Sequence, residues 1–219
     1  MLILHIASSN SGKIAEFRLG IRLWTEEGTG HRERETVTKQ HGSHLSNWVV
    51  EPVPRIDSLP PCVEDGESFA ANAQKKAVHY SRFATGMVLG DDSGLEVDSL
   101  AGAPGIYSRR FAGPDATDAQ NNAKLLDQMS GVPVAKRTGQ FVCVLALARN
   151  GQLLAEFRGV ARGIILESPR GTSGFGYDPL FLDPASNKTF AELSSEEKFE
   201  RSHRGQAMRA MLEWLDANR

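Results

Sequence analysis

Residues 141–166, FVCVLALARNGQLLAEFRGVARGIIL, decide the fold class. Two apolar, strand-like runs, Phe141–Ala148 and Leu153–Leu166, flank the dipeptide Asn150-Gly151. Asn-Gly between two apolar runs favours a two-residue β-hairpin, because both residue types tolerate the positive φ that such a turn requires. The sequence therefore predicts an antiparallel pair of strands in this half of the chain.

The N-terminal part predicts a different arrangement. Residues 2–7 form a short apolar run, and Ile14, Phe17 and Ile21 then recur at the spacing of one helical face. Residues 48–50 favour another strand, and residues 68–84 form the clearest helix of the chain. Alternating strands and helices followed by a hairpin indicate an α/β protein with a mixed sheet.

Three further elements follow from local signals. Residues 87–89 favour a short buried strand that the polar residues after it cut off. Thr117 and Gln120 have the spacing of a capping box, which predicts a helix reaching about Met129. The last helix is expected from near His203 to about Asn218, and residues 168–178 should form a loop.

Composition excludes several classes of protein. The chain has 219 residues, or about 1.5 domains at ~150 residues each, so it holds one large domain or two lobes. A net charge of −2 disfavours a general nucleic-acid binder. The longest apolar run is far too short to span a membrane, and the N-terminus is typical of a first strand rather than a signal peptide. Two cysteines without CxxC spacing favour the reducing cytoplasm.

One segment departs from the regular pattern. Residues 28–46 are polar and carry mixed charges, which is typical of a solvated insertion or a long loop. His41 and His44 lie within it, but no partner ligand for a metal site is evident. A solvated segment is the preferred interpretation.

A candidate phosphate-binding segment follows the first predicted strand. It consists of Ser8, Ser9, Asn10, Ser11, Gly12 and Lys13. Free backbone N–H groups at the start of a helix attract anions, and a lysine adds a full positive charge. An ordinary helix cap explains the same residues equally well. The segment is not a Walker A loop, because Ala7 and Ile14 stand where that motif needs glycine and serine or threonine.

Acidic residues form a second candidate group. Asp91 and Asp92 are adjacent at the predicted end of a buried strand, where repulsion and lost hydration are tolerated if a cation or a proton transfer needs them. A polar turn is the alternative. Residues 64–67 add carboxylates before the clearest helix, and one of them could help to hold Mg²⁺. The basic residues of that helix, Lys75, Lys76, His79 and Arg82, are predicted to form a solvated face.

Two later segments complete the inventory. Residues 173–179, SGFGYDP, form a glycine-rich loop on which a base could stack, with Asp178 reading its edge; the alternative is a turn whose aromatic rings fill the core. Lys198, His203 and Arg204 form a late basic cluster, in which an arginine suits phosphates or planar acceptors, although a His-Arg pair at a helix start is usually structural. Together these groups describe a nucleotide site.

Six segments in one order carry a family resemblance: SSNSGKIAEF, SFAANAQKKA, DDSGLEVDSLAGAPGIYSRRFAG, FGYDPLF, AELSSEEK and SHRGQAM. The chain resembles the inosine triphosphate pyrophosphatase family, the non-canonical purine nucleoside triphosphate pyrophosphatases. The resemblance runs from the first strand to the last helix and leaves out roughly residues 25–60. So many motifs in order are highly specific.

The resemblance implies a fold, an activity and a partner. The fold is an elongated mixed β-sheet flanked by helices, with two lobes and an active cleft between them; residues 1–219 would be one such domain with an unusual insertion at about 25–60. The activity is Mg²⁺-dependent hydrolysis of ITP, dITP and XTP to the monophosphate and pyrophosphate, which removes deaminated purines from the nucleotide pool. The resemblance also implies a homodimer.

Motif position assigns residues to these roles. Glu64 falls on a metal-binding glutamate, although its placement depends on the segment that follows, and Asp92 falls on the proton acceptor, which is also a metal ligand. Ser8, Ser9, Asn10, Ser11, Gly12 and Lys13 match the triphosphate-contacting segment. The other substrate-binding positions are Ser93, Phe175, Gly176, Tyr177, Asp178, Lys198, His203 and Arg204. Arg109 departs from the family, where a small residue is common, whereas Arg110 keeps the family arginine.

These assignments predict in-line attack of water on the α-phosphorus, with Asp92 orienting or deprotonating the water.

Two other functions fit part of the pattern. A nucleotide-binding protein without turnover would keep the phosphate-binding segment and the aromatic loop, but the presence of both Glu64 and Asp92 argues against it. A Maf-like pyrophosphatase would act on pyrimidine or modified nucleotides, which the FGYDP and SHRG segments disfavour.

Overall fold

A computed structural model describes residues 2–30 and 48–218, the side chains of residues 2 and 27–30 excepted. Its seven strands form one sheet in the order β2-β1-β3-β4-β5-β6-β7. The strands are β1 (Leu2–Ile6), β2 (Trp48–Pro52), β3 (Met87–Val97), β4 (Thr138–Arg149), β5 (Gln152–Ile165), β6 (Phe181–Asp183) and β7 (Lys188–Thr189). The α-helices in this described part are α1 (Ser11–Gly30), α2 (Phe69–Tyr80), α3 (Asp118–Gln128), α4 (Ser195–Arg201) and α5 (His203–Ala217).

The sheet is mixed, which confirms the predicted fold class. β1 pairs in parallel with both β2 and β3, whereas β3, β4 and β5 are antiparallel neighbours. The β4–β5 connection is the predicted two-residue turn, since Arg149 pairs with Gln152. Asn150 and Gly151 have φ values of 51° and 77°, as a type I′ turn requires.

Helices cover both faces of the central sheet. Alternate residues of β4 point to opposite sides: Leu145 packs with α1 and α5, whereas Val144 packs with α2. Because both faces are buried, the central stretch of β4 is apolar without alternation, unlike a strand with one face in water. A third cluster, around Phe181 and the α3 residue Leu125, fills the far end of the sheet.

Two predictions about local elements were wrong, and one α-helix was not predicted. β3 does not end at Leu89 but continues to Val97, because its backbone stays paired with β4 throughout and this pairing outweighs the turn preference of Asp-Ser-Gly. α2 ends at Tyr80 rather than at residue 84. α4 was not predicted, although Ser194 and Glu197 form a capping box at its start.

Only the ends of the predicted insertion at residues 25–60 are described. α1 continues to Gly30, and residues 48–52 form the edge strand β2. Residues 31–47, which include His41 and His44, lie outside the described residues. Among the helices that are described, none is long and apolar enough to cross a membrane.

Candidate active site

The sequence motifs converge on one cavity of about 880 Å³. It opens where β1 ends, beside the middle of β3 and the start of α5. Fourteen of the sixteen predicted site residues line it: Ser8, Ser9, Asn10, Lys13, Glu64, Asp92, Ser93, Phe175, Gly176, Tyr177, Asp178, Lys198, His203 and Arg204. The two others, Ser11 and Gly12, belong to the first turn of α1 and do not line this cavity.

Gly12 instead shapes the neighbouring aromatic residue. A Cβ atom at this position would lie 2.8 Å from Cδ1 of Phe175, so only glycine lets the ring pack against α1. Both residues line a second cavity of about 420 Å³ between α1, α4 and α5. Lys198, Arg204 and Phe175 line both cavities, so the two spaces meet at this ring.

The segment between β1 and α1 is both a helix cap and a candidate phosphate site. The side chain of Asn10 accepts a hydrogen bond from the backbone N–H of Lys13 at 3.0 Å, which caps α1. The capped end of the helix faces the cavity, where its partial positive charge favours an anion. The two interpretations of the sequence are thus compatible in one structure.

Asp91 is the centre of a buried ion-pair network. Its carboxylate pairs with Lys13 and accepts a hydrogen bond from Nε of Arg204 at 2.9 Å. Burial raises the pKa of this carboxyl group, but Arg204 and Lys13 outweigh it and hold the pKa well below its usual value. Asp91 therefore stays ionised and fixes the two cations, both of which line the cavity.

Asp92 has the opposite environment, because adjacent residues of a strand point to opposite faces. It is 9% exposed and lines the cavity, and its buried Oδ2 atom has no hydrogen-bond partner within the described residues. Burial raises its pKa to about 6, against the opposing effects of Lys76 and Lys13. A buried carboxylate with an unpartnered oxygen in a cavity is suited to bind a cation or to take up a proton.

Lys76 is a site residue that sequence reasoning missed. The prediction that the basic residues of α2 form a solvated face is wrong at this position: Lys76 is 9% exposed. Its ammonium group donates to the backbone carbonyl of Asp91 at 3.0 Å and pairs with Glu64 at 2.8 Å. The signal was its spacing, since residues 69, 72, 73, 76 and 77 form one buried face of the helix.

The donor set near Lys76 fits Mg²⁺. This ion uses one or two protein carboxylates and fills its other positions with water and substrate phosphates. Asp92 offers an oxygen without a partner among the described residues, and Glu64 pairs with the Lys76 ammonium group, whose charge also acts on Asp92. No cluster of three or more His, Cys, Asp or Glu side chains that could hold a metal occurs among the described residues. The arrangement suits an ion that arrives with a phosphorylated ligand.

The aromatic loop forms the other end of the cavity. Asp178 accepts hydrogen bonds from Lys198 at 2.6 Å and from the backbone N–H of Phe175 at 2.8 Å. Burial raises the pKa of Asp178, and Lys198 partly offsets the effect. The Phe175 ring lies 4.8 Å from the Lys198 ammonium and 5.7 Å from the Arg204 guanidinium carbon. An aromatic face and two cations are therefore held together.

Glu16 is a second residue that the sequence analysis missed. It projects from α1, one turn after Lys13, and pairs with Lys198 at 2.7 Å and with Arg204. Burial raises the pKa of Glu16, but these two cations outweigh it, so the net shift is downward. Glu16 thus orients two basic side chains that the sequence had assigned to the substrate.

Two further predicted residues, His203 and Tyr177, line the cavity and are also packed into the core. His203 is buried and stacks on Phe141 with ring centroids 4.7 Å apart, and its Nδ1 atom has no partner in the described part of the chain. Burial, together with Arg204 and Lys198, holds the pKa of His203 well below its usual value, so the ring is neutral. Tyr177 is also buried, and its hydroxyl donates to the Ser108 carbonyl at 2.8 Å.

Fold and site together define an α/β protein whose cavity is built for a phosphorylated ligand with a flat ring. Basic side chains held by buried acids and the N-terminus of α1 line it, and among the described residues one carboxylate oxygen of Asp92 is buried without a hydrogen-bond partner. The Ham1 family model matches residues 4–214, and the chain belongs to this family.

Individual relatives agree with this assignment. The chain is 48% identical over 207 residues to the dITP/XTP pyrophosphatase of Exiguobacterium sibiricum, covering 94% of this chain and 93% of the relative. Among solved structures, the Ham1 protein of Staphylococcus aureus has a TM-score of 0.78 at 32% identity and covers 99% of this chain and 100% of its own. The dITP/XTP pyrophosphatase of Mycobacterium abscessus has a TM-score of 0.68 at 35% identity, covering 98% and 100%.

Proposed function

We propose that this chain is a nucleoside triphosphate pyrophosphatase that hydrolyses dITP, XTP and ITP to the nucleoside monophosphate and pyrophosphate. Such an enzyme removes deaminated purines from the nucleotide pool. Membership of the Ham1 family and the dITP/XTP pyrophosphatases that match it along its length support the activity. The observation that carries it is Asp92, which lines the same cavity as the residues assigned to the phosphates. Its Oδ2 atom is buried without a hydrogen-bond partner among the described residues, and burial raises the pKa of its carboxyl group.

The triphosphate binds at the start of α1. Lys13 and the backbone N–H groups of residues 8–12 contact its oxygens, and the helix dipole adds to the attraction. Asp91 holds Lys13 in place by a buried ion pair, so the lysine needs little reorganisation when the substrate arrives.

Asp92 acts on the attacking water. Its carboxylate orients the water for attack on the α-phosphorus and accepts its proton, and a pKa of about 6 suits a general base that works near neutral pH. Asp92 and Glu64 would hold Mg²⁺, which when bound offsets the charge of the phosphates and of the leaving pyrophosphate. Lys76 keeps the Glu64 carboxylate beside this position through their ion pair.

The base is recognised at the aromatic loop. Phe175 stacks on the purine, while His203, Arg204 and Asp178 favour a ring with an oxygen at position 6. Lys198 and Arg204 carry only donors, so they pair with a 6-oxo group but not with the amino group of adenine. The amino group of adenine would set a further donor against these donors, which is the source of discrimination.

We further propose a cytoplasmic homodimer. Both cysteines are free thiols, as expected in a reducing compartment. Within the described residues, the edge of β5 away from β4 pairs with β6 at Ile164 and Ile165 alone, and Leu153 and Leu154 are exposed at the other end of β5. A second copy covering this edge would protect it. Sedimentation equilibrium tests the assignment, and a mass equal to one chain at micromolar concentration would contradict it.

The activity is tested with one substrate panel. Purified protein with Mg²⁺ is given dITP, XTP, ITP, GTP, ATP, dTTP and UTP, and pyrophosphate release is measured. We expect dITP, XTP and ITP to lead. Release led by dTTP or UTP would indicate a Maf-like enzyme, and nucleotide binding without any release would indicate a binding protein.

A further inference from the structure

Two side chains of α3 hold both backbone groups of a single residue in the aromatic loop. The Gly176 N–H donates to Oδ2 of Asp118 at 2.7 Å, and the Gly176 carbonyl accepts from Nδ2 of Asn122 at 2.9 Å. Asp118 and Asn122 are four residues apart, so they lie on one face of the helix. Gly176 has a φ of 61°, in the region that favours glycine, and it stands next to the base-stacking Phe175.

The helix that carries this pair is itself well anchored. A complete capping box of Thr117 and Gln120 fixes its first turn, and Leu125 is fully buried in the core at the end of the sheet. The side chain of Asn121 also joins α3 to the preceding segment through the backbone of Ala112 and Arg109. α3 is therefore a rigid support for the loop.

Asn122 shows that the contact is specific. Its Oδ1 atom is buried and has no hydrogen-bond partner among the described residues, while its amide nitrogen bonds to Gly176. Burying an amide oxygen without a partner lowers the stability of the fold. The hydrogen bond from the amide nitrogen to Gly176 is the interaction that offsets this cost. The rest of the loop is held separately, at Tyr177 by Ser108 and at Asp178 by Lys198.

We propose that Asp118 and Asn122 are positioning residues that act through Gly176 to set the Phe175 ring for base stacking. The inference rests on the proposed function of the cavity. It assigns α3, which carries none of the predicted site residues, to the recognition of the base rather than of the phosphates. Loss of either contact lets the peptide before Tyr177 rotate and moves the ring away from the stacking position.

Inhibition by the two reaction products tests this assignment, because IMP carries the base whereas pyrophosphate does not. The variants are Asp118→Ala, which removes the acceptor, and Asn122→Asp, which keeps the shape but removes the N–H donor. Loss of one hydrogen bond predicts that the inhibition constant of IMP and the KM for ITP each rise about fivefold. The inhibition constant of pyrophosphate and kcat should stay within about twofold of wild type, because both contacts are made to Gly176 and not to the residues assigned to the phosphates.

Two matched variants serve as controls. Asp118→Asn keeps an oxygen acceptor for the Gly176 N–H, so it should restore IMP binding to near the wild-type value. Asp127→Ala removes an exposed acid from the last turn of the same helix. It should leave the inhibition constants of both IMP and pyrophosphate unchanged. Thermal unfolding of all variants verifies that α3 remains folded.

Equal weakening of IMP and pyrophosphate would overturn the proposal, since it would indicate general damage to the site. Unchanged IMP binding in both contact variants would also overturn it. Direct calorimetry of IMP binding separates this proposal from the proposed activity. If wild-type protein binds IMP but hydrolyses no nucleotide, the activity is wrong while the comparison of IMP binding between variants still tests the positioning role.

Discussion

Replacing Asp92 with asparagine should stabilise the folded chain and at the same time remove its activity. The carboxylate is buried, and its Oδ2 atom has no partner in the described part of the structure. Burial raises its pKa from 3.8 to about 6, which means that the fold favours the protonated, neutral form. An asparagine side chain has nearly the same shape and carries no charge.

The size of the effect follows from linkage between protonation and folding. At a pH below 3.8 the side chain is neutral in both the folded and the unfolded chain, so it has no influence on stability. As the pH rises through 3.8 the unfolded chain ionises first, and the folded state loses stability until the pH passes about 6. Above that pH the full difference, about 3 kcal/mol, opposes folding, because each pKa unit corresponds to about 1.4 kcal/mol.

Chemical unfolding in urea tests this expectation. With EDTA present, Asp92→Asn should raise the free energy of unfolding by about 1–3 kcal/mol at pH 7.5 and by much less at pH 4. Pyrophosphate release from dITP with Mg²⁺ should fall at least about 100-fold in the same protein, the range expected for a lost general base. Asp57→Asn changes an exposed acid in the same way and serves as the stability control.

Either of two results would refute the reasoning. If the variant is less stable than wild type at pH 7.5, Asp92 makes net favourable interactions that the geometry does not show. If activity survives within about tenfold, equivalent to ~1.4 kcal/mol, Asp92 does not act on the attacking water.

Three other changes have distinct expected outcomes. Asp91→Asn should lower the free energy of unfolding by about 3–5 kcal/mol in urea titrations, because it removes the carboxylate that Lys13 and the buried Arg204 guanidinium share and leaves Arg204 with Glu16 alone; a stable variant would contradict the ion-pair network. At low Mg²⁺, kcat/KM for dITP should fall about tenfold per pH unit below pH 6, as Asp92 becomes protonated, and a flat profile down to pH 5 would exclude this role. Phe175→Ala should raise KM for dITP about tenfold or more through lost stacking, with pyrophosphate inhibition unchanged; an unaltered KM would remove Phe175 from base recognition.

Local signals in the sequence predicted the elements whose geometry a few residues determine. The Asn150-Gly151 turn and the Thr117 capping box were both found, because positive φ and paired cap hydrogen bonds restrict the choice of residues. The strand through Asp91 and Asp92 was truncated, because its extended form depends on long-range pairing with β4 that no local preference reveals.

In the candidate site, too, residues in local motifs were predicted and residues that depend on tertiary contacts were not. Residues in motifs, such as Lys13 and Arg204, were found and do line the cavity. Lys76 and Glu16 were missed, because a charged residue on a helix is normally solvated, and only the tertiary structure shows the buried partners that hold these two. Glu16 lies one helical turn after Lys13, and Lys76 lies on the buried face of α2. These two placements are the patterns to search for in other chains.

The central claim is that water attacks the α-phosphorus of a deaminated purine nucleotide at Asp92. Hydrolysis of dITP in ¹⁸O-labelled water, followed by mass spectrometry of both products, tests it most directly. The proposed mechanism predicts one ¹⁸O atom in dIMP and unlabelled, intact pyrophosphate. Label in the pyrophosphate, stepwise release of orthophosphate, or no turnover of dITP would contradict it.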